Sequence, residues 1–282
     1  MLQQPAPPKS STQHPKQPPI FILSAGPMSG GHALQKALCS SNDVLIWSTT
    51  TGSLNHLLEA ARQTEFATDP TMSGIIQGKK RSGEADIQIK RGDNIIPYLH
   101  SLRIPSSHIR KSFRQLLGTL YGSPAKSIGF PRWGLVLNQG NQFTVDMLRM
   151  TFPRAKFVFL IRHPLDSLGL LKYSKSLPRD SWGNAITKHH PLDSFAQNWS
   201  NLASDFDRIR HLGIAIRFED IQNNENSMLE LASTLNISTD GLLRTLPISN
   251  QSVRPPRQNL TTVELNRLKP ILQESMSRWD YQ

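Results

Sequence analysis

The sequence holds a single cysteine, Cys39, so no disulfide can form within the chain. Stability must come from packing, and a reducing compartment, the cytoplasm, is the expected location. No apolar run approaches the roughly 18 to 20 residues that a helix needs to span a bilayer, and no basic-then-apolar leader is read at the start, so no membrane anchor is expected. Acidic residues are the scarcer sign. Against 32 Lys and Arg stand 21 Asp and Glu, a formal net charge of +11. Such an excess favours an anionic partner, which charge alone leaves as nucleic acid, an acidic membrane surface or a phosphorylated or sulfated small molecule. The chain also lacks a recognition helix, zinc-ligand spacing and aromatic residues interleaved with basic ones, so nucleic acid is not the expected partner.

What is present is an alternation of strand-like and helix-like segments. Residues 1–19, rich in Pro, Gln and Ser, have too few apolar side chains to offset their own ordering entropy and are expected to be a disordered tail. From residue 20 to 282 one domain is expected. IFIL (Ile20 to Leu23) reads as a buried strand, Gly26 to Gly31 as a turn, and Ala33 to Leu38 as the opening of a helix. Further strands are expected at Asp43 to Trp47, in KFVFLIRHP (Lys156 to Pro164) and at Ile214 to Asp220, the last as a central strand. Helical spacing marks Ser53 to Thr64, Ile109 to Tyr121, Gln142 to Phe152, Leu165 to Lys175, Leu192 to His211 and Asn226 to Leu235. The polar, Gly-flanked stretch Gly78 to Asp93 reads as an exposed loop or hairpin whose cations are solvated or grip an acidic ligand. Strands alternating with helices predict an α/β fold, a three-layer, doubly wound parallel sheet.

The stretch FILSAGPMSGGHALQKAL (Phe21 to Leu38) has the strand, Gly-rich turn and helix that present main-chain N–H groups to a phosphate. Gly26 and Gly31 have the spacing of the NTPase loop, but His32 stands where that loop has Lys, and Ala33 where it has Ser or Thr. Ala33 has no oxygen for Mg²⁺, and the strand FVFLI runs into Arg162 rather than an acid, so no metal is expected. The dinucleotide spacing Gly-x-Gly-x-x-Gly fails as well. A metal-free phosphate cradle therefore remains, together with an Arg at the end of a second parallel strand. Together they suit a nucleotide that bears two separate phosphate groups.

In these segments the chain resembles the PAPS-dependent sulfotransferase family. PMSGGHAL (Pro27 to Leu34) stands in the place of that family's Pro-Arg/Lys-Ser-Gly-Thr-Thr loop, and LIRHPLDS (Leu160 to Ser167) in that of its strand ending in Arg-Asp/His-Pro. PRWG (Pro131 to Gly134), RFED (Arg217 to Asp220) and the closing WDYQ follow in the family's order. The resemblance implies sulfuryl transfer from PAPS (3′-phosphoadenylyl sulfate) to a small-molecule or glycan acceptor bearing a hydroxyl or amine. It would set the N–H groups of Ser29, Gly30, Gly31, His32 and Ala33 on the 5′-phosphosulfate and Arg162 on the 3′-phosphate. Arg254 and Arg257 would lie on a loop closing over the nucleotide. Three positions depart from the family pattern. Met28 replaces the loop Arg or Lys, Leu170 replaces a Ser contacting the 3′-phosphate, with Ser167 or Ser174 as substitutes, and Val136 replaces a Lys. His32 is the candidate catalytic residue, since a protonated imidazole would recover charge lost at Met28; the alternative is a partly buried His capping the helix. His100, His108, His189 and His190 remain open as general base. A protein of this fold that binds nucleotide but has lost turnover is the competing reading.

Overall fold

The computed structural model describes residues 17–48, 53–66, 106–138, 140–173, 191–239, 241–242 and 256–282. The sheet has five parallel strands: β1 (Ile20–Ser24), β2 (Val44–Ser48), β3 (Arg132–Leu137), β4 (Lys156–Ile161) and β5 (Ile214–Arg217), in spatial order β2-β3-β1-β4-β5. β1 is buried along its whole length, sending Ile20 and Ile22 to one side of the sheet and Phe21 and Leu23 to the other. A strand that is apolar on both sides needs a cover on both faces.

Helices supply it. In chain order they are α1 (Gly31–Cys39), α2 (Ser53–Phe66), α3 (Ser106–Leu117), the short α4 (Ser123–Ser127), α5 (Gln142–Thr151), α6 (Pro164–Tyr173), α7 (Pro191–Ile209), α8 (Phe218–Asn223), α9 (Glu225–Leu235) and α10 (Thr262–Arg278). On one face α1, α8 and α9 pack Leu34, Leu38, Phe218, Met228 and Leu231 against Ile22, Val136 and Leu160. On the other, α2, α3, α5, α6, α7 and α10 contribute Leu58, Leu117, Leu148, Leu168, Trp199 and Leu272 around Phe21 and Phe159. None of the described helices is long and apolar enough to cross a membrane.

The expected doubly wound α/β architecture is present, with three differences. The strand expected over Ile214 to Asp220 stops at Arg217, because Phe218 begins α8, whose first turn holds Glu219 and Asp220 where the helix dipole favours negative charge. That strand is an edge, paired only with β4, and correspondingly half-exposed. β3 is unannounced in the sequence pattern, since Arg132 and Gly134 interrupt its apolar run. Gly134 is there because a Cβ would stand 2.5 Å from the Ile20 carbonyl oxygen of the neighbouring strand. Most of the expected tail (residues 1–16) and the expected loop at 78–93 lie outside the described residues.

Chain direction creates the site. From β1 the chain turns to α1 on one face, and from β4 it turns to α6 on the other. The two departures leave a crevice between the carboxyl ends of these adjacent strands, the place where open parallel sheets bind ligands.

Gly134→Ala is expected to lower stability by about 2–3 kcal/mol, read from the urea unfolding midpoint, because main chain rather than a flexible side chain blocks the new methyl. A pH effect is expected at the start of α10. Lys172 holds the Glu264 carboxylate at 2.7 Å, and with the Thr261 N–H pulls its pKa down to about 2. A carboxylate held below its unfolded value stabilises above that value and loses the contribution as pH falls toward 2. Stability should therefore decline below about pH 4.5, modestly because the pair is solvent-screened, and Glu264→Gln should flatten that decline.

Candidate functional site

The loop after β1 is shaped by its main chain. The Ala25 N–H donates to the Leu160 carbonyl at 3.0 Å, pinning the loop to β4. Gly26, Met28 and Gly30 then take positive φ values of 95, 61 and 90°, reversing the chain so that α1 starts at Gly31. Gly30 is the N-cap and offers no side-chain acceptor, and the first helical bond is Leu34 N–H to the Gly30 carbonyl, at 3.0 Å. The N–H groups of Gly31, His32 and Ala33 therefore point out of the helix end without an intrahelical partner, where the dipole favours an anion. Ser29 is buried, and its hydroxyl donates to the Ala25 carbonyl at 3.1 Å, closing the loop on itself.

His32 is exposed in the first turn of α1, with Nδ1 3.2 Å from Gln35 Oε1. It does not cap the helix, because Gly30 occupies the cap, so the expectation of a partly buried capping histidine is corrected. Val136 is fully buried in β3, its Cγ1 2.9 Å from where a Cβ on Gly31 would stand. It packs beneath the start of α1, in a place with no room for a solvated cation.

Arg162 follows β4 directly. Trp199 Nε1 donates to its carbonyl at 3.2 Å, fixing its main chain, and its Nη1 donates to the Met28 carbonyl at 3.2 Å. The Phe218 ring lies under the guanidinium, 4.9 Å from Cζ to the centroid. Burial pushes the Arg162 pKa down, and the nearby Glu219, Asp166 and Tyr281 act in the opposite direction. Arginine remains charged through such changes. Ser167, fully buried in the first turn of α6, points its hydroxyl at the same Met28 carbonyl, at 3.5 Å. Leu170 is half-buried on the same helix, and Ser174 lies outside the described residues.

Arg257 reaches this end of the sheet from a 3₁₀ turn, Pro256–Asn259. Asp166 accepts from its Nε and Nη2, both at 3.0 Å, and from its N–H at 3.2 Å. These bonds raise the Arg257 pKa. The turn can sit this close to α6 because Gly169 has no Cβ; one would stand 1.9 Å from the Pro256 carbonyl oxygen. The structure thus gathers the residue 29–33 main chain, Arg162, Ser167 and Arg257 at one end of the sheet. Arg254, His100, His189 and His190 lie outside the described residues, and His108 is exposed on α3, which packs over the sheet face opposite α1.

The place of Phe218 and the partners of Glu219, which with Arg217 and Asp220 reads from sequence as a structural strand-end ion network, were not legible in the sequence. Glu219 accepts from the His163 N–H at 2.9 Å and from the Tyr281 hydroxyl at 2.8 Å, so it ties the chain after Arg162 to the closing WDYQ segment. Tyr281 in turn stacks edge-on against His163 at 5.0 Å. The motif RFED was visible, but nothing in its spacing distinguishes a strand end from a helix start. Gly30→Ala is expected to cost about 2–4 kcal/mol, read by thermal unfolding, because it adds positive-φ strain to a methyl landing 2.1 Å from Phe218 Cδ2.

No family model matches the chain, and no curated protein matches it in sequence. Among solved structures, sulfotransferase STF9 from Mycobacterium avium superposes with a TM-score of 0.51 and 14% identity, over 95% of this chain and 78% of that one. The sulfotransferase domain of the curacin biosynthetic pathway (TM-score 0.46, 15% identity, 94% and 98% covered) and that of the Synechococcus PCC 7002 olefin synthase (0.48, 12%, 97% and 98%) are also similar. Identity this low speaks to architecture. The chain has the sulfotransferase fold, a single parallel five-stranded sheet flanked by helices.

Proposed function

We propose that the protein transfers a sulfuryl group from PAPS to a hydroxyl or amine of a small-molecule or glycan acceptor. The observation that carries this reading is the 3.2 Å bond from Arg162 Nη1 to the Met28 carbonyl. It holds a strand-end cation beside a helix-terminal anion cradle, so that one ligand with anionic groups at two positions reaches both. The residues present fit such a ligand. Arg162 spends one edge of its planar fork on the loop and keeps further N–H donors for a phosphate, the bidentate geometry to which guanidinium is suited. Ser167 stands beside it, and Arg257 is fixed at the rim by Asp166.

PAPS supplies the activated sulfuryl group, and no metal is required of the chain: Ala33 has no oxygen with which to hold one in the loop. The N–H groups of Ser29 to Ala33 bind and orient the phosphosulfate. Because those donors are fixed by the loop and helix, they need no rearrangement as charge develops. His32, exposed in the first turn, is the side chain able to bring an added positive charge to that end of the helix.

A second reading, a nucleotide-binding or regulatory protein with impaired turnover, is favoured by one observation. Met28 carries a thioether and Val136 is sealed beneath α1, so neither offers charge to the leaving phosphate.

PAP, the desulfated nucleotide, is expected to stabilise the protein by roughly 2.7 kcal/mol at about 100 times its Kd. Absence of any thermal shift at millimolar PAP would end both readings. Arg162→Ala should weaken PAP binding by about 1.5–3 kcal/mol, measured by calorimetry. Transfer of labelled sulfate from PAPS to a panel of hydroxyl and amine acceptors then separates the two readings, and activity that emerges only with Met28→Arg identifies the impaired one.

A further inference from the structure

Phe218 touches both halves of the site, and sequence analysis gave it no role. It is the first residue of α8, 4% exposed, and lies in the core on the α1 side of the sheet. One edge of its ring fills the space that a Gly30 side chain would occupy, with Cδ2 at 2.1 Å and Cε2 at 2.4 Å from a Cβ placed there. Its face carries the Arg162 guanidinium, 4.9 Å from Cζ to the centroid. Arg162 is thus held from below by the ring and along one edge by the Met28 carbonyl at 3.2 Å. A half-buried guanidinium without these two supports has several rotamers open to it, and each rotamer lost on binding weakens the ligand.

We propose that Phe218 is the positioning residue of the nucleotide site: its ring seats against Gly30 and its π face fixes the Arg162 guanidinium toward the loop, coupling the strand-end cation to the cradle. The inference rests on the function proposed above for the ligand it serves, and on the contacts alone for the coupling. A leucine keeps apolar volume at this position but has no π face. A tyrosine keeps the ring.

The test is a double-mutant cycle on the full chain, with PAP as probe. Phe218→Leu is expected to weaken PAP binding about three- to five-fold, the scale of a partly desolvated cation–π contact, and Phe218→Tyr to restore it. In an Arg162→Ala background, Phe218→Leu should cause no further loss, a result that a merely structural role of the ring would not give. On the unliganded protein, the Tm changes of Phe218→Leu and Arg162→Ala should fall short of additivity by about 2 °C. Unchanged PAP affinity in Phe218→Leu overturns the proposal, and so does a loss of equal factor in the Arg162→Ala background or strict additivity of the Tm shifts. Failure of the wild-type protein to bind PAP would remove the sulfuryl-donor reading instead, and the thermal cycle would then decide the coupling by itself.

Discussion

Everything at the candidate site follows from the parallel register of β1 and β4. Ile20 pairs with Lys156 and each successive residue with its counterpart, ending with Ser24 against Leu160. The last rung is extended by the Ala25 N–H to the Leu160 carbonyl. The loop after β1 and Arg162 after β4 therefore emerge side by side from adjacent strands. A one-residue slip would turn Phe21 and Leu23 toward the helix α1 side and carry every apolar pair of the core to the wrong face. Burial of both faces thus enforces the alignment that brings the cation next to the cradle, and the Arg162–Met28 bond and the Phe218 ring then fix its orientation there.

How much of this the sequence disclosed depends on the range of the interaction. Strand, loop and helix from Ile20 to Leu38 were legible because period and punctuation are local. So was Arg162, which ends the most continuous apolar strand. β3 was not, since Gly134 answers to the main chain of Ile20, a partner over a hundred residues away. Phe218 was assigned to a strand because IAIRF is apolar at alternate positions until the chain turns, and the helix start is set by Glu219 serving His163 and Tyr281. The partner of Arg257 was likewise hidden. Asp166 sits in a motif read for its Arg and its Pro, and only the glycine at 169 hints that another segment must approach α6.

The charges at the crevice differ in kind from those on the surface. Surface pairs such as Arg208 with Asp205, Arg210 with Asp207 and Arg278 with Glu274 cancel one another, contribute little to stability and leave little field. At the crevice, Arg257 is answered by Asp166, while Arg162, half-buried, has Glu219 and Asp166 only at a distance. An incoming anion replaces lost hydration at Arg162, whereas at Arg257 it must compete with a carboxylate already seated on the fork. The function proposed above therefore rests more on Arg162 than on Arg257.

The same reasoning explains how the fold tolerates methionine at position 28. What Arg162 and Ser167 grip is the Met28 carbonyl, and what shapes the loop is a φ of 61° at that residue. Both are properties of the main chain. Positive φ costs a non-glycine residue on the order of 1–3 kcal/mol, and the two donors converging on the carbonyl, together with the Ala25 anchor, offset it. The contacts that shape the loop are therefore made by the Met28 main chain, and a replacement that keeps this φ changes the charge carried at the position. For the reaction proposed above, a missing charge-assisted bond of about 1.5–3 kcal/mol would correspond to roughly 10- to 100-fold in rate, a loss that would fall on chemistry and leave the architecture standing. Position 28 is thus where the fold and the proposed chemistry are separable in this chain.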